Sequence, residues 1–251
     1  MPTHLYILSG ASRGMGLAMA SQLLSPGHEL VCISRHTNPE LQTQATAQHA
    51  PLHQWPLDLE QAAGAAQQLG QWLTAQDGRA YASATLINNA AVLPQVGPLR
   101  RGDSHDLARA LRVGLEAPML LSAIFLGATQ SWPGQRRLLN ISSGLGRRAM
   151  ASQSAYCAAK AGMDHFTRCV ALEEALLPQG ARVCSLAPGV IDTDMQTQLR
   201  HAPGQHFPDQ ANFVNLKEQG QLSTPQQAAQ RVLAYLARAD FGSNPVADVR
   251  E

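Results

Sequence analysis

The sequence predicts an α/β fold, a doubly wound parallel sheet of about seven strands in a single domain. Three observations carry this. Short, almost wholly apolar runs recur along the chain. Amphipathic stretches with helical periodicity separate them. A glycine-rich turn joins the first apolar run to the first helical stretch. Strands buried on both faces read as continuous apolar runs, and their alternation with helices makes them parallel.

The expected strands are 4–9 (HLYILS), 29–34 (ELVCIS), 84–89 (ATLINN), 136–142 (RRLLNIS) and 181–187 (ARVCSLA), with weaker candidates at 52–57 and 245–250. Helical stretches lie near 15–25, 39–49, 60–76, 104–129, 152–177 and 225–239. Thr224-Pro225 opens the last as an N-cap followed by proline at the first helical position, where a missing N–H costs nothing. The polar segment 194–222, with Pro203, Gly204 and Pro208, follows a strand and is expected as a substrate loop or lid. One helix is anomalous. ALRVGLEAPML (110–120) has helical rhythm, yet Gly114 stands at its centre, where glycine costs about 1 kcal/mol against alanine.

The 251 residues are 45% hydrophobic and 15% charged, which suits a large core and excludes a disordered chain. The net charge is +1, and the arginine doublets at 100–101, 136–137 and 147–148 are isolated, so a nucleic-acid surface is not expected. No run of 18 apolar residues and no basic, then apolar leader is present. A cytoplasmic protein without a membrane span is therefore expected. Cys32, Cys157, Cys169 and Cys184 each lie in an apolar run without a C-x-x-C partner and read as buried free thiols. No metal site is expected: the histidines are scattered, and Pro51 breaks the spacing of His49 and His53.

Gly10, Gly14 and Gly16, with Ser12, Arg13 and Met15 between them, follow the first strand and open the first helix. Such a turn lets backbone approach a pyrophosphate at a helix N-terminus, the Rossmann-type dinucleotide arrangement. An NAD site presents a carboxylate near the end of the second strand. Here the chain reads ISRHTN (33–38), with no acid. Arg35 and Arg13 would instead clamp a 2′-phosphate, which makes NADP(H) the expected cofactor. Two solvated arginines are the bland alternative.

SAYCAAK places Tyr156 and Lys160 on one helical face, with Ser143 thirteen residues earlier. A free phenol titrates near 10, and a nearby ammonium favours its ionised form. A serine hydroxyl polarises a carbonyl oxygen. Together with LINNAA (86–91) and LAPGVIDTDM (186–195), these motifs resemble the short-chain dehydrogenase/reductase family over nearly the whole chain. Within it the sequence is most similar to the sepiapterin reductases and bacterial benzil reductases. The segments LLSPG (23–27), YCAAKAGMDHF (156–166), RVCSLAPGVIDTDMQ (182–196) and LKEQGQL (216–222) carry that likeness.

The resemblance implies an NADP(H)-dependent carbonyl reductase acting on a small-molecule ketone, one carbonyl of a vicinal or pterin-like diketone. It implies Tyr156 as proton donor, Lys160 tuning it and binding the nicotinamide ribose, and Ser143, rather than the adjacent Ser142, orienting substrate. Asp58 would accept from the adenine amino group beside Leu59. Asn89, Ala90 and Ala91 would lie along the adenosine ribose, and Ala91 stands where the family has glycine. Pro188, Gly189, Val190, Ile191 and Thr193 would run beside the nicotinamide. Asp248 matches a pterin-anchoring carboxylate, while Met150, Met195, Phe207 and Phe213 would supply apolar walls. The long helices at 104–129 and 152–177 would pair in a homodimer or homotetramer, with His165, Phe166 and Cys169 at that interface or in the core. Gly114 stands in place of the family's catalytic Asn, in a kinked helix whose main-chain carbonyl holds a water next to the Lys. Glycine keeps the carbonyl and permits the kink. The alternatives are a lost relay and a slow enzyme, or an NADP-binding redox-sensing protein with weak or no turnover.

Overall fold

The computed structural model describes residues 3–251. Seven strands form one sheet: β1 (Thr3–Ser9), β2 (His28–Ser34), β3 (Leu52–Pro56), β4 (Tyr81–Asn88), β5 (Gln135–Ile141), β6 (Arg182–Ala187) and β7 (Val246–Asp248). Their order is β3-β2-β1-β4-β5-β6-β7, and every pair is parallel. The chain leaves β3 at one edge and returns to the other side of β1 as β4. The two halves of the sheet therefore wind apart between β1 and β4, and a crevice opens there at the strands' carboxyl ends.

Both faces are covered, which is why the strand sequences lack alternation. Leu8, Cys32, Ile87, Leu139 and Cys184 point to a layer made by α1 (Gly14–Leu23), α2 (Pro39–Ala47) and α9 (Pro225–Leu236). Leu5, Ile7, Val31, Ile33, Leu86, Leu138 and Val183 point to the opposite layer. That layer holds α3 (Ala62–Thr74), α4 (Ser104–Leu111), α5 (Ala117–Ala128) and α6 (Ser154–Ala175). The expected lid is a folded segment containing α7 (Asp194–Arg200) and α8 (Gln210–Glu218). Leu199, Ala202, Phe207 and Phe213 anchor it against Leu93, Val96 and Tyr156. Thr224 opens α9 with a capping box, its hydroxyl accepting from the Gln227 N–H.

The anomalous helix is continuous but not uniform. Between α4 and α5 the residues Arg112–Glu116 form a π-helical turn, closed by the Ala117 N–H donating to the Arg112 carbonyl. The stretch Ser104–Ala128 is long and apolar enough to cross a membrane. In this fold Ala117, Leu121 and Phe125 are fully buried on the sheet instead.

Two expectations are corrected. Cys32 and Cys184 are buried, but Cys157 is only half-buried and Cys169 is exposed. An apolar window does not say which helix face a residue takes, and Cys169 falls on the outer face of α6, as does His165. Phe207 lines no pocket wall. It is fully buried, stacked on Phe213 as core of the lid. Among the described residues, no group of three His, Cys, Asp or Glu side chains could hold a metal ion.

Candidate active site

A cleft of about 1060 Å³ opens at the carboxyl ends of the strands, roofed by α7 and α8. Every residue expected to bind cofactor or substrate or to act in catalysis lines it, except Phe207 and Gly114. Gly114 lies behind the wall, where its neighbour Val113 takes the cleft position.

One half suits a dinucleotide. Gly10 has φ +72°, and a Cβ on Gly16 would sit 2.0 Å from the Gly10 carbonyl oxygen, so no other residue fits there. Asn89 clamps this turn, its Nδ2 donating to the Ser9 and Gly10 carbonyls at 3.0 and 3.2 Å. Asn89, Ala90 and Ala91 all line the cleft. The helix α1 starts with no side-chain cap and no acid in its first turn. Its leading N–H groups are left for an anion, as a pyrophosphate requires. Arg35 is exposed at the end of β2 without a hydrogen-bond partner among the described residues. Arg13 reaches the Asp194 carboxylate at 2.8 Å. Both of those side chains are exposed, so the contact contributes little. Asp58 accepts from the Glu60 N–H at 3.0 Å, and Leu59 beside it is buried core as much as cleft wall. In the loop after β6, Gly189 takes φ +83°. The Val190 carbonyl and Asp192 N–H pair with Ser223.

The other half holds the reactive groups. Tyr156, Lys160, Met163, Asp164, Thr167 and Val170 form the buried stripe of α6. Lys160 Nζ donates to the Ile141 carbonyl at 2.7 Å and lies 5.8 Å from the centre of the Tyr156 ring. Burial pushes the Tyr156 phenol up to about 12, while the neighbouring Ser143 hydroxyl pulls it down. Burial pushes Lys160 down to about 8, against the pull of the Asp164 charge. The two serines separate. Ser142 Oγ donates to Asp164 Oδ1 at 2.6 Å. Ser143 keeps its hydroxyl at the phenol and accepts only from the Leu145 N–H.

Asp164 is the residue that sequence reasoning missed. It is buried, accepts from Ser142 and Ser185 at 2.6 Å each, and lies 3.3 Å from Arg147 Nε. Its signal was its position four residues after Lys160, which puts both on one face.

Pro118 accounts for the π-turn, and Gly114 for its close packing. In an α-helix the Gly114 carbonyl would accept from the residue four ahead, which is Pro118 and has no N–H. That carbonyl therefore lacks its α-helical donor. A Cβ on Gly114 would also lie 3.2 Å from the Ala159 Cβ, on the turn of α6 between Tyr156 and Lys160. The small residue lets the irregular turn press against the catalytic helix.

At the outer end, Met150 and Met195 are half-buried walls. Asp248 is buried and gripped by Arg250 through both oxygens, at 2.7 and 2.6 Å. The Arg250 guanidinium holds its pKa below the ordinary carboxylate value.

The family model for short chain dehydrogenase matches residues 5–204. A benzil reductase ((S)-benzoin forming) of Bacillus cereus is 32% identical over 245 residues, covering 98% of each chain. A sepiapterin reductase of Meriones unguiculatus is 31% identical over 253 residues, covering 96% of this chain and 94% of that one. Among solved structures, the KRED1-Pglu enzyme superposes with a TM-score of 0.81 at 28% identity, covering 98% of this chain and 100% of that one.

Proposed function

This chain belongs to the short-chain dehydrogenase family and is an oxidoreductase acting on C=O and CH–OH groups, and on that premise we propose that it is an NADP(H)-dependent reductase of a vicinal diketone. The observation that carries the reading is the meeting of Ser143, Tyr156 and Lys160 in a cleft beside an uncapped glycine-turn helix. Benzil reductases and sepiapterin reductases among the relatives support the diketone class. The absence of an acid after β2, with Arg35 free and Arg13 held only loosely, supports NADP(H) over NAD(H).

Gly10, Gly14, Gly16 and the α1 N–H groups would hold the pyrophosphate, Arg13 and Arg35 the 2′-phosphate, and the loop 188–193 the nicotinamide. When bound, the nicotinamide supplies hydride to the ketone carbon. The chain's own part is proton handling. Ser143 donates a hydrogen bond to the substrate oxygen, and Tyr156 Oη transfers its proton there as charge develops. The Lys160 ammonium then steadies the phenolate. The Gly114 carbonyl, lacking its α-helical donor, is the acceptor for a water that returns a proton towards Lys160. Exposed Leu111 and Met119 on α4 and α5, with Leu172 on α6 and Leu176 just after it, support pairing of these helices in a homo-oligomer.

Initial rates with benzil and either NADPH or NADH test the reading. NADPH consumption matched by benzoin formation is expected, with NADH much poorer. Binding of NADPH without consumption across a set of diketones would return the protein to the redox-sensing alternative.

A further inference from the structure

Gln153 immediately precedes α6, three residues before Tyr156, and lines the cleft. It is 1% exposed. Its carbonyl accepts from the Cys157 N–H at 2.8 Å, but its side chain makes no capping bond to α6. Neither its Oε1 nor its Nε2 has a hydrogen-bond partner. A buried polar group left unpaired is costly, and folded chains keep few of them. A second cleft residue, Gln196 of α7, is also buried and has an unpaired Oε1. The apolar cluster of Leu93, Leu145, Met150, Leu199 and Phe213 lines the same cleft. Two orphaned amides in such a wall point to a ligand with a polar group besides the one that reacts.

Resting on the ketone-reductase reading, we propose that Gln153 is a specificity-determining residue that receives the second oxygen of a vicinal dicarbonyl. Tyr156 and Ser143 hold the oxygen being reduced. Gln153, at the N-cap of α6, and Tyr156, in its first turn, both line the cleft. Two oxygens on adjacent carbons match two polar groups one turn apart. The amide torsion of glutamine is soft, so Nε2 turns towards the cleft at little cost. It donates to the ketone oxygen that survives in both the diketone and the hydroxyketone product. A monoketone leaves the amide unpaired, and a site built to hydrogen-bond a group discriminates against the analogue that lacks it.

The test uses benzil and deoxybenzoin, which differ only in having a methylene in place of one carbonyl. Both kcat/KM and the binding constant in the presence of NADP⁺ are measured for the wild type and for Gln153→Met, which keeps the length and loses the amide. The wild type should prefer benzil in both measurements. Gln153→Met should weaken benzil about tenfold, with deoxybenzoin within about twofold. Parallel losses on both ligands, or an unchanged ratio, would overturn the inference. The wild type alone also decides it if the variant does not fold, since equal binding of the two ketones, or of neither, overturns it. Absence of turnover with either cofactor would overturn the reductase reading, while the binding ratios would still judge Gln153.

Discussion

Replacing Gly114 by alanine asks whether α6 leaves room for a side chain at the π-turn. Helix propensity alone predicts a gain of about 1 kcal/mol. The new Cβ, however, would lie 3.2 Å from the Ala159 Cβ, closer than an ordinary van der Waals contact, and overpacking costs about 1–3 kcal/mol. The balance is a loss of about 1 kcal/mol, a fall in Tm of about 2–4 °C for a chain of this size. Ala159→Gly removes the opposing methyl. In that background Gly114→Ala should stabilise by about 1 kcal/mol, so a double-mutant cycle should yield a coupling of about 2 kcal/mol. Ala159 adjoins Lys160, so the single variant should also lower kcat and the double variant recover it. Urea unfolding and benzil reduction by the four proteins measure both. The same effect of Gly114→Ala in the two backgrounds would refute the packing argument.

Burial lowers Lys160 to about 8, and the ammonium is the useful form. Reduction measured as kcat/KM should therefore be flat below that pH and decline as pH rises through it. Asp164→Asn removes the charge that raises Lys160 and should move the decline to lower pH, and an unmoved limb would exclude that influence. Arg35→Asp should weaken NADPH binding at least about tenfold more than NADH binding, since it replaces a phosphate partner by a like charge; titration with each cofactor checks this. For Asp248→Asn, KM for a pterin diketone should rise while KM for benzil holds. Equal changes would confine Asp248 to its pair with Arg250.

What could be read from the sequence follows from what periodicity encodes. Apolar runs such as HLYILS and ARVCSLA sit on strands buried from both sides, so they announced the parallel sheet. The turn from Gly10 to Gly16 was legible because only glycine fits where Gly16 meets the Gly10 carbonyl. A kink at Gly114 was expected, but its form, a π-turn over Arg112–Glu116, was not legible, since five residues are too few to disturb a helical period over twenty-five. Its chemical signal, Gly114 four before a proline, was present all the same. Asp164 and Gln153 were hidden for a shared reason. A polar residue in a long helix or at its start usually faces water, and only packing reveals that these do not. Cys169 misled the other way, since an apolar neighbourhood does not fix a helix face.

The most direct test of the proton-transfer account is a single-turnover experiment with Tyr156→Phe. The variant is mixed with NADPH and benzil, and nicotinamide absorbance is followed alongside NADPH binding. The account predicts unchanged NADPH affinity and hydride transfer slowed by about 10²–10⁴, the range for loss of a positioned general acid. Transfer at the wild-type rate would contradict it.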